Sequence, residues 1–188
     1  MFVPVDCSLL LVRDVANLKA AFSLVPDYLA SDEPGATNLM DLGFQLGRRF
    51  RGLKLWMVIR AFGVEGLRRR IRAHCAWARA LAERIEGHPD LELAAPVPFS
   101  TVCFRLRGGD DDASRRLLDA VNADGRFLLS HTVLRGRFTL RAAIGNLRTT
   151  EAHLDALWVL LAAAAERLAA GAPAGGGERG DGAAGEAR

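Results

Sequence analysis

The sequence predicts an α/β protein built from two parts that differ in secondary structure. Between positions 46 and 85, apolar residues recur at three- and four-residue intervals, which is the spacing of amphipathic helices. From Leu91 onward, short alternating segments flank single helical segments, which is the order of a small α+β domain with a mostly antiparallel sheet. The chain has 188 residues, half of them hydrophobic, which is enough to bury a core.

The N-terminal part starts with a compact apolar run at residues 3–12, which predicts a strand buried on both faces of a mixed or parallel sheet. A short helix is expected at 14–22. Residues 28–43 contain Ser, Asp, Pro, Gly, Thr and Asn, a composition typical of an exposed loop. Two helices are then expected, at 46–62 and from 64 to about 85.

The second part, residues 88–170, is predicted to contain four strands and two helices. The expected strands are 91–95, 101–106, 127–133 and 138–144, and the expected helices are 113–123 and 150–170. Thr149 or Thr150 is the candidate N-cap of the last helix. Residues 171–188 are rich in Gly and Ala with no aromatic or β-branched residue, which predicts a disordered tail.

Composition excludes several classes of protein. The three cysteines are far apart and the four histidines share no ligand spacing, so neither a disulfide framework nor a metal site is indicated, and a reducing cytoplasm fits best. The sequence shows neither a basic leader nor a run of eighteen apolar residues, so neither export nor insertion into a membrane is indicated. The net charge is +3, and arginines cluster at positions 48, 49 and 51 and at positions 68, 69, 70 and 72, which could suggest a phosphate-binding surface. The arginines of the second helix are interpreted as a solvated helix face, and no nucleic-acid partner is expected. An arginine-rich binding module would instead show salt-sensitive retention on nucleic acid.

The stretch LGRRFRGLKLW, from Leu46 to Trp56, resembles the signature of the group II pyridoxal-dependent amino-acid decarboxylases. The resemblance extends from about residue 2 to residue 165 and is nearest to the aromatic-L-amino-acid decarboxylases. Other segments similar to that family occur in its order and at about its spacing, namely Asp6-Cys7-Ser8, residues 22–29, 102–106 and 138–144.

This resemblance implies the C-terminal portion of a fold-type I transferase dependent on pyridoxal 5′-phosphate (PLP). Residues 1–87 would end the large cofactor domain, with a catalytic loop at about 25–45 and the signature helix at 46–62. In the family, a His-Lys pair that binds PLP lies a few residues before a segment like Asp6-Cys7-Ser8. The PLP lysine is therefore expected just upstream of Met1, and no cofactor-binding residue is expected in this chain. Lys19 and Lys54, its two lysines, do not follow histidines.

Tyr28 matches the family's catalytic-loop tyrosine, and its implied role is to give a proton to the substrate carbon after carbon dioxide has left. An unperturbed phenol, with a pKa of about 10, is protonated at neutral pH and can donate. Phenylalanine at this position would instead favour aldehyde formation. The alternative interpretation of Tyr28 is an ordinary loop aromatic.

Two further positions are implied to bind substrate. Gly47 matches a pocket position at which glycine accompanies bulky indole-like rings, and its alternative interpretation is a glycine at the start of a helix. Arg141 matches an arginine that lies near the substrate carboxylate in related folds, where its planar fork suits bidentate pairing. The alternative for Arg141 is a structural ion pair.

The implied function is PLP-dependent decarboxylation of an L-amino acid, with aromatic substrates favoured, by a homodimer in which the loop of one subunit approaches the active site of the other. As given, the chain is expected to be inactive by itself. An alternative is a non-catalytic remnant that dimerises with, or regulates, a full-length paralogue.

Overall fold

The computed structural model describes residues 3–4, 6–23, 38–47 and 49–171. The chain divides into two compact units, Met1–Glu65 and Gly66–Arg188. The predicted tail at 171–188 lies, beyond its first residue, outside the described residues. The described elements are α1 (Val15–Phe22), a 3-10 helix (Leu39–Leu42), α2 (Arg51–Glu86), β1 (Leu91–Leu93), β2 (Thr101–Leu106), α3 (Asp111–Ala123), β3 (Ser130–Leu134), β4 (Arg137–Ala143) and α4 (Glu151–Ala169).

The start of the N-terminal unit corrects one prediction and confirms another. The strand predicted at 3–12 is wrong, because residues 3–4 and 6–12 form no strand. A strand requires a neighbour for its backbone hydrogen bonds, and the described residues pair none with this segment. The short helix is confirmed as α1, which begins after Asp14, whose carboxylate accepts a hydrogen bond from the Ala16 N–H at 2.8 Å.

The two predicted helices meet at Gly63. Within α2, Gly63 has φ 65° and ψ 163°, a non-helical conformation that favours glycine, and it separates the two helical stretches where the sequence predicted a break. The first stretch begins at Arg51 rather than at residue 46, and the second ends at Glu86. No helix within the described ranges is long and apolar enough to cross a membrane.

The C-terminal unit contains one four-stranded antiparallel sheet with the strand order β1-β2-β4-β3. Phe104 of β2 lies opposite Leu93 of β1 on one side and Leu140 of β4 on the other. The prediction of a small domain with a mostly antiparallel sheet is therefore confirmed at the level of its strands.

Helices cover the apolar face of this sheet and close the core. Phe104 and Leu140 are fully buried, as are Leu117 of α3 and Leu161 of α4. The second stretch of α2 contributes Ile85 and its neighbours to the same core cluster. Alternation along the strands and the i, i+3, i+4 pattern along the helices put these residues on facing surfaces, so burial of apolar area drives their association.

Side chains define the ends of several elements. The Asn122 side chain bonds both the N–H of Leu129, at 2.8 Å, and its carbonyl oxygen, at 3.0 Å. Because these backbone groups are already paired, β3 begins at Ser130 instead of at the predicted residue 127. Arg135, at φ 51°, and Gly136, at φ 73°, form the two-residue turn between β3 and β4.

Caps and an ion pair fix the helices of this unit. Asp110 caps α3 by accepting a hydrogen bond from the Ala113 N–H at 2.7 Å. The sequence offered Thr149 or Thr150 as the N-cap of α4, and the structure shows that it is Thr150. Arg84 of α2 and Asp155 of α4 form an ion pair at 2.7 Å.

Candidate active site

Arg141 lies in the middle of β4, on the sheet face opposite the core. Its strand neighbours in register are Cys103 of β2 and Ser130 of β3, so the three residues form one row across the sheet. The side chain is half-buried, and its guanidinium donates to the Ser130 hydroxyl oxygen at 3.3 Å. The same hydroxyl lies 3.4 Å from the Arg141 carbonyl oxygen, to which it donates.

Within the described part of the chain, no carboxylate lies within ion-pair distance of the Arg141 guanidinium. The hydrogen bond to Ser130 uses one guanidinium nitrogen, and a planar fork has further N–H groups that can donate to an anion. Ser130 is a contact that the sequence alone did not single out, because it comes from strand register across eleven residues.

Gly47 lies in an irregular stretch of the N-terminal unit, four residues before α2 begins. It is exposed, and a Cβ added there would meet no atom within 4 Å. Within the described residues, neither a close contact nor a positive φ requires glycine at this position. Any role for Gly47 in substrate size would therefore depend on atoms beyond those described.

Tyr28 lies outside the described residues, as does most of the loop predicted at about 25–45. The end of that range is described and contains the 3-10 helix Leu39–Leu42. In the same unit, the Ser23 hydroxyl lies 3.5 Å from the Asp41 carboxylate, to which it donates.

The two motif segments of the N-terminal unit are joined by ion pairs that the sequence did not predict. The Asp6 carboxylate accepts from Arg51 Nε at 2.8 Å and lies 3.8 Å from Lys54 Nζ. Asp6 opens the Asp6-Cys7-Ser8 segment, and both cations belong to the signature stretch. The hydrogen bond from Arg51 is the main cause that lowers the pKa of Asp6, and the charges of both cations add to it.

One histidine of the C-terminal unit has a perturbed pKa. His74, on α2, is buried, and this desolvation lowers its pKa; the charge of Arg70 lowers it further. Its ring lies 5.4 Å from that of Trp77. His74 is thus a buried histidine, which is one of the two interpretations, surface or packed, that the sequence left open.

An open cleft of about 480 Å³ lies in the same unit, between the end of β4, the loop that follows it and the start of α4. Ala142, Ile144 and Leu157 contribute apolar surface to it, and Arg148 and His153 contribute polar groups. Arg141, the site residue predicted in the small domain, does not line this cleft, whereas its chain neighbours Ala142 and Ala143 do.

Comparison with known proteins defines the class. Residues 1–107 match the family model described as the pyridoxal-dependent decarboxylase conserved domain. The chain therefore belongs to the pyridoxal-dependent decarboxylase family, as the signature stretch and the segments around it predicted.

Within that family, the chain is similar in sequence to several aromatic-amino-acid decarboxylases and to an aldehyde synthase. The chain is 39% identical to tryptophan decarboxylase 1 of Oryza sativa subsp. japonica, covering 83% of this chain and 33% of that protein. It is 41% identical to phenylacetaldehyde synthase of Arabidopsis thaliana, covering 83% and 34%. The crystal structure of Oryza sativa TDC with PLP and tryptamine superimposes with a TM-score of 0.72 and 36% identity, covering 84% of this chain and 35% of that one. The chain thus spans about a third of the length of the relatives it matches.

Proposed function

We propose that these residues act as part of a complete PLP-dependent carboxy-lyase that decarboxylates an L-amino acid, with aromatic amino acids as the favoured substrates. The observation that carries the proposal is the family match over residues 1–107. The tryptophan and tyrosine decarboxylases among the relatives support the aromatic class. A fold-type I large domain and a cytoplasmic homodimer belong to the same proposal.

The described residues do not by themselves fit PLP. Of the two lysines, Lys54 is engaged in an ion pair, with its Nζ 3.8 Å from the Asp6 carboxylate. Lys19 lies on α1, with its carbonyl oxygen accepting from the Ser23 N–H. When bound in the complete enzyme, PLP supplies the electron sink for loss of carbon dioxide.

The residues of this chain would bind substrate and move a proton. Tyr28 is proposed to donate its phenolic proton to the substrate carbon once carbon dioxide has left. Arg141, with guanidinium N–H groups not engaged by any described carboxylate, is proposed to pair with the substrate carboxylate. Gly47 is proposed to leave space for a bulky aromatic ring.

The first test replaces the matching segment of the Oryza sativa tryptophan decarboxylase with this chain. We expect the chimera to bind PLP, seen as visible absorbance, and to release carbon dioxide from L-tryptophan or L-tyrosine. We expect the 188-residue chain alone to do neither. A chimera that binds PLP but decarboxylates none of the aromatic amino acids would contradict the proposed substrate class, and a lysine-linked absorbance band in the chain alone would contradict its predicted inactivity.

A second test addresses the proton donor in the same chimera. Tyr28→Phe should lower the amine yield by about 100-fold or more, the scale of general acid catalysis, and should produce aldehyde with consumption of dioxygen. Phe44→Leu, at the other aromatic residue of the predicted loop, is the matched control and should keep the amine as product. Unchanged amine formation by Tyr28→Phe would contradict the role.

The second candidate function is a non-catalytic remnant that dimerises with or regulates a decarboxylase paralogue. It is favoured by one observation, namely that neither lysine of these 188 residues follows a histidine. Reading the DNA upstream of Met1 separates the two candidates: an in-frame His-Lys codon pair a few codons before it supports the enzyme, and a start site with no homologous sequence before it supports the remnant.

A further inference from the structure

Three arginines project from one face of the sheet, and they differ in their partners. Arg137 and Arg141 are four residues apart on β4, and Arg105 of β2 lies two residues from Cys103, which is opposite Arg141. Because successive side chains of a strand alternate between faces, all three share a face. The Glu92 carboxylate lies 3.4 Å from Arg105 and 3.8 Å from Arg137. Within the described part of the chain, Arg141 has a neutral partner instead of a carboxylate.

That partner is the hydroxyl of Ser130, the first residue of β3 and the register neighbour of Arg141. Arg141 Nη1 donates to the Ser130 oxygen at 3.3 Å, and the hydroxyl donates to the Arg141 carbonyl oxygen at 3.4 Å. One hydroxyl thus contacts both the guanidinium and the backbone of the same arginine, as donor of one bond and acceptor of the other. This two-point contact restricts a long side chain that would otherwise sample many rotamers.

The contact with Ser130 leaves one edge of the guanidinium open. Nη1 is engaged, whereas Nε and Nη2 of Arg141 make no hydrogen bond with any described residue. Two N–H groups on one edge of a guanidinium match the two oxygens of a carboxylate. A carboxylate in the place of Ser130 would compete for this edge and compensate the charge, whereas a hydroxyl orients the arginine and leaves its charge available to a ligand.

The position of Ser130 is fixed by hydrogen bonds on both sides of it along the chain. Leu129, the residue before it, is held by the Asn122 side chain, which bonds its N–H at 2.8 Å and its carbonyl oxygen at 3.0 Å. From Ser130 onward, β3 pairs with β4. The backbone that carries the hydroxyl is therefore ordered, so the hydroxyl is a fixed point against which the Arg141 guanidinium can be oriented.

We propose that Ser130 is a positioning residue of the decarboxylase, whose hydroxyl orients Arg141 so that the open edge of the guanidinium meets the carboxylate of the L-amino acid. The inference rests on the proposed function, in which Arg141 binds that carboxylate. Ser130 acts through the arginine. Its effect is therefore specific to ligands that carry the carboxylate.

The test compares Ser130→Ala with the parent in the chimera with the Oryza sativa tryptophan decarboxylase. We expect the KM for L-tryptophan to rise by about 3- to 10-fold, the scale of the cost of ordering one long side chain on binding, with kcat within about twofold. The inhibition constant of tryptamine, which lacks the carboxylate, should not change. An unchanged KM, or an equal loss of affinity for L-tryptophan and tryptamine, would overturn the inference.

Two matched variants separate positioning from general damage to the sheet. Ser130→Thr keeps a hydroxyl and should retain the parental KM. Thr132→Val removes a hydroxyl two residues further along the same face of β3 and should also leave KM unchanged. A rise in KM for Thr132→Val equal to that for Ser130→Ala would overturn the inference, as would a Ser130→Thr chimera that behaves like Ser130→Ala.

A double variant shows whether the effect passes through the arginine. Arg141→Met should raise KM by itself, because the carboxylate loses its partner. Ser130→Ala should then add no further increase, since the group that it orients is gone. A further increase in the Arg141→Met background would overturn the inference.

The order of the Arg141 side chain is measured separately so that the two proposals can fail independently. In the 188-residue chain, NMR relaxation of the Arg141 Nε–H should show a more ordered side chain in the parent than in Ser130→Ala. If this order is lost as expected but the parent chimera decarboxylates nothing, the proposed function is contradicted and the orientation of Arg141 by Ser130 is supported. If the chimera is active and Arg141→Met raises KM, while Ser130→Ala changes neither KM nor the order of Arg141, the inference is overturned and the proposed function is supported.

Discussion

Arg105 on β2 provides the sharpest prediction of stability. Its side chain is 4% exposed, with Nε 3.4 Å from the Glu92 carboxylate and a terminal nitrogen 3.6 Å from the Asp111 carboxylate. Nε makes no hydrogen bond within the described part of the chain, and the Gly109 carbonyl oxygen is 3.5 Å from the terminal nitrogen. The carboxylates are 30% and 43% exposed, so the cation is buried while its partners still touch water.

Because the cation is buried and its partners are not, two substitutions should lower the free energy of unfolding to different extents. The double variant Glu92→Gln, Asp111→Asn leaves a buried cation without counter-charge, a change that costs about 3–5 kcal/mol for a fully buried pair. Because the removed carboxylates were partly hydrated, we expect about 2–3 kcal/mol here. Arg105→Met removes the buried charge and leaves carboxylates that water can solvate, so the free energy of unfolding should stay within about 1 kcal/mol of the parent.

Urea unfolding at pH 7, followed by circular dichroism, measures both effects. With a slope of about 2 kcal/mol per molar urea, the double variant should lower the midpoint by about 1–1.5 M. Arg116→Met, at an exposed arginine of α3, is the control for loss of one charge and should not move the midpoint. A larger loss for Arg105→Met than for the double variant would refute the reasoning, because the pair would then stabilise more than burial of the cation costs.

Three further outcomes are expected. Burial lowers the pKa of His74 from 6.5, so as the pH drops below about 6.5 the unfolded chain takes up the proton first and the free energy of unfolding should fall. In His74→Gln, the urea midpoint should fall less between pH 7.5 and pH 5.5 than it does in the parent chain. An equal fall in the two proteins would contradict this. Arg135 has a φ of 51°, which asparagine tolerates better than arginine, so Arg135→Asn should raise the free energy of unfolding by about 0.5–1 kcal/mol. Thermal unfolding checks this, and a melting temperature below that of the parent chain would contradict it. In Arg51→Gln, the pKa of Asp6 should rise toward 3.8 in an NMR titration, because its main hydrogen-bond donor is gone; no rise would contradict the ion pair.

The local pattern predicted most of the C-terminal unit. The strands predicted at 101–106 and 138–144 are β2 and β4, and the helix predicted at 113–123 is α3, which begins two residues earlier, at Asp111. The break in α2 lies between the two helices predicted at 46–62 and from 64, and the family followed from the signature stretch at 46–56. These features depend on backbone geometry and capping within a few residues, so a short window of sequence contains the information they require.

Features that join distant residues were not predictable in this way. The pairing of Asp6 with Arg51 spans 45 residues, and the Arg141–Ser130 contact depends on the register of β3 against β4. The roles proposed for Tyr28 and Gly47 likewise stay predictions, since they depend on groups outside the described part of the chain.

The sequence by itself determined the periodicity of the elements, their caps and turns, and the family, because each is written in the spacing of neighbouring residues. Only the tertiary structure decided which charges are buried and which apolar residues are not. Arg105 and Leu11 illustrate the reason: a charged residue is buried and an apolar one is 96% exposed, since burial is set by whatever other segments pack against a residue and not by its own side chain.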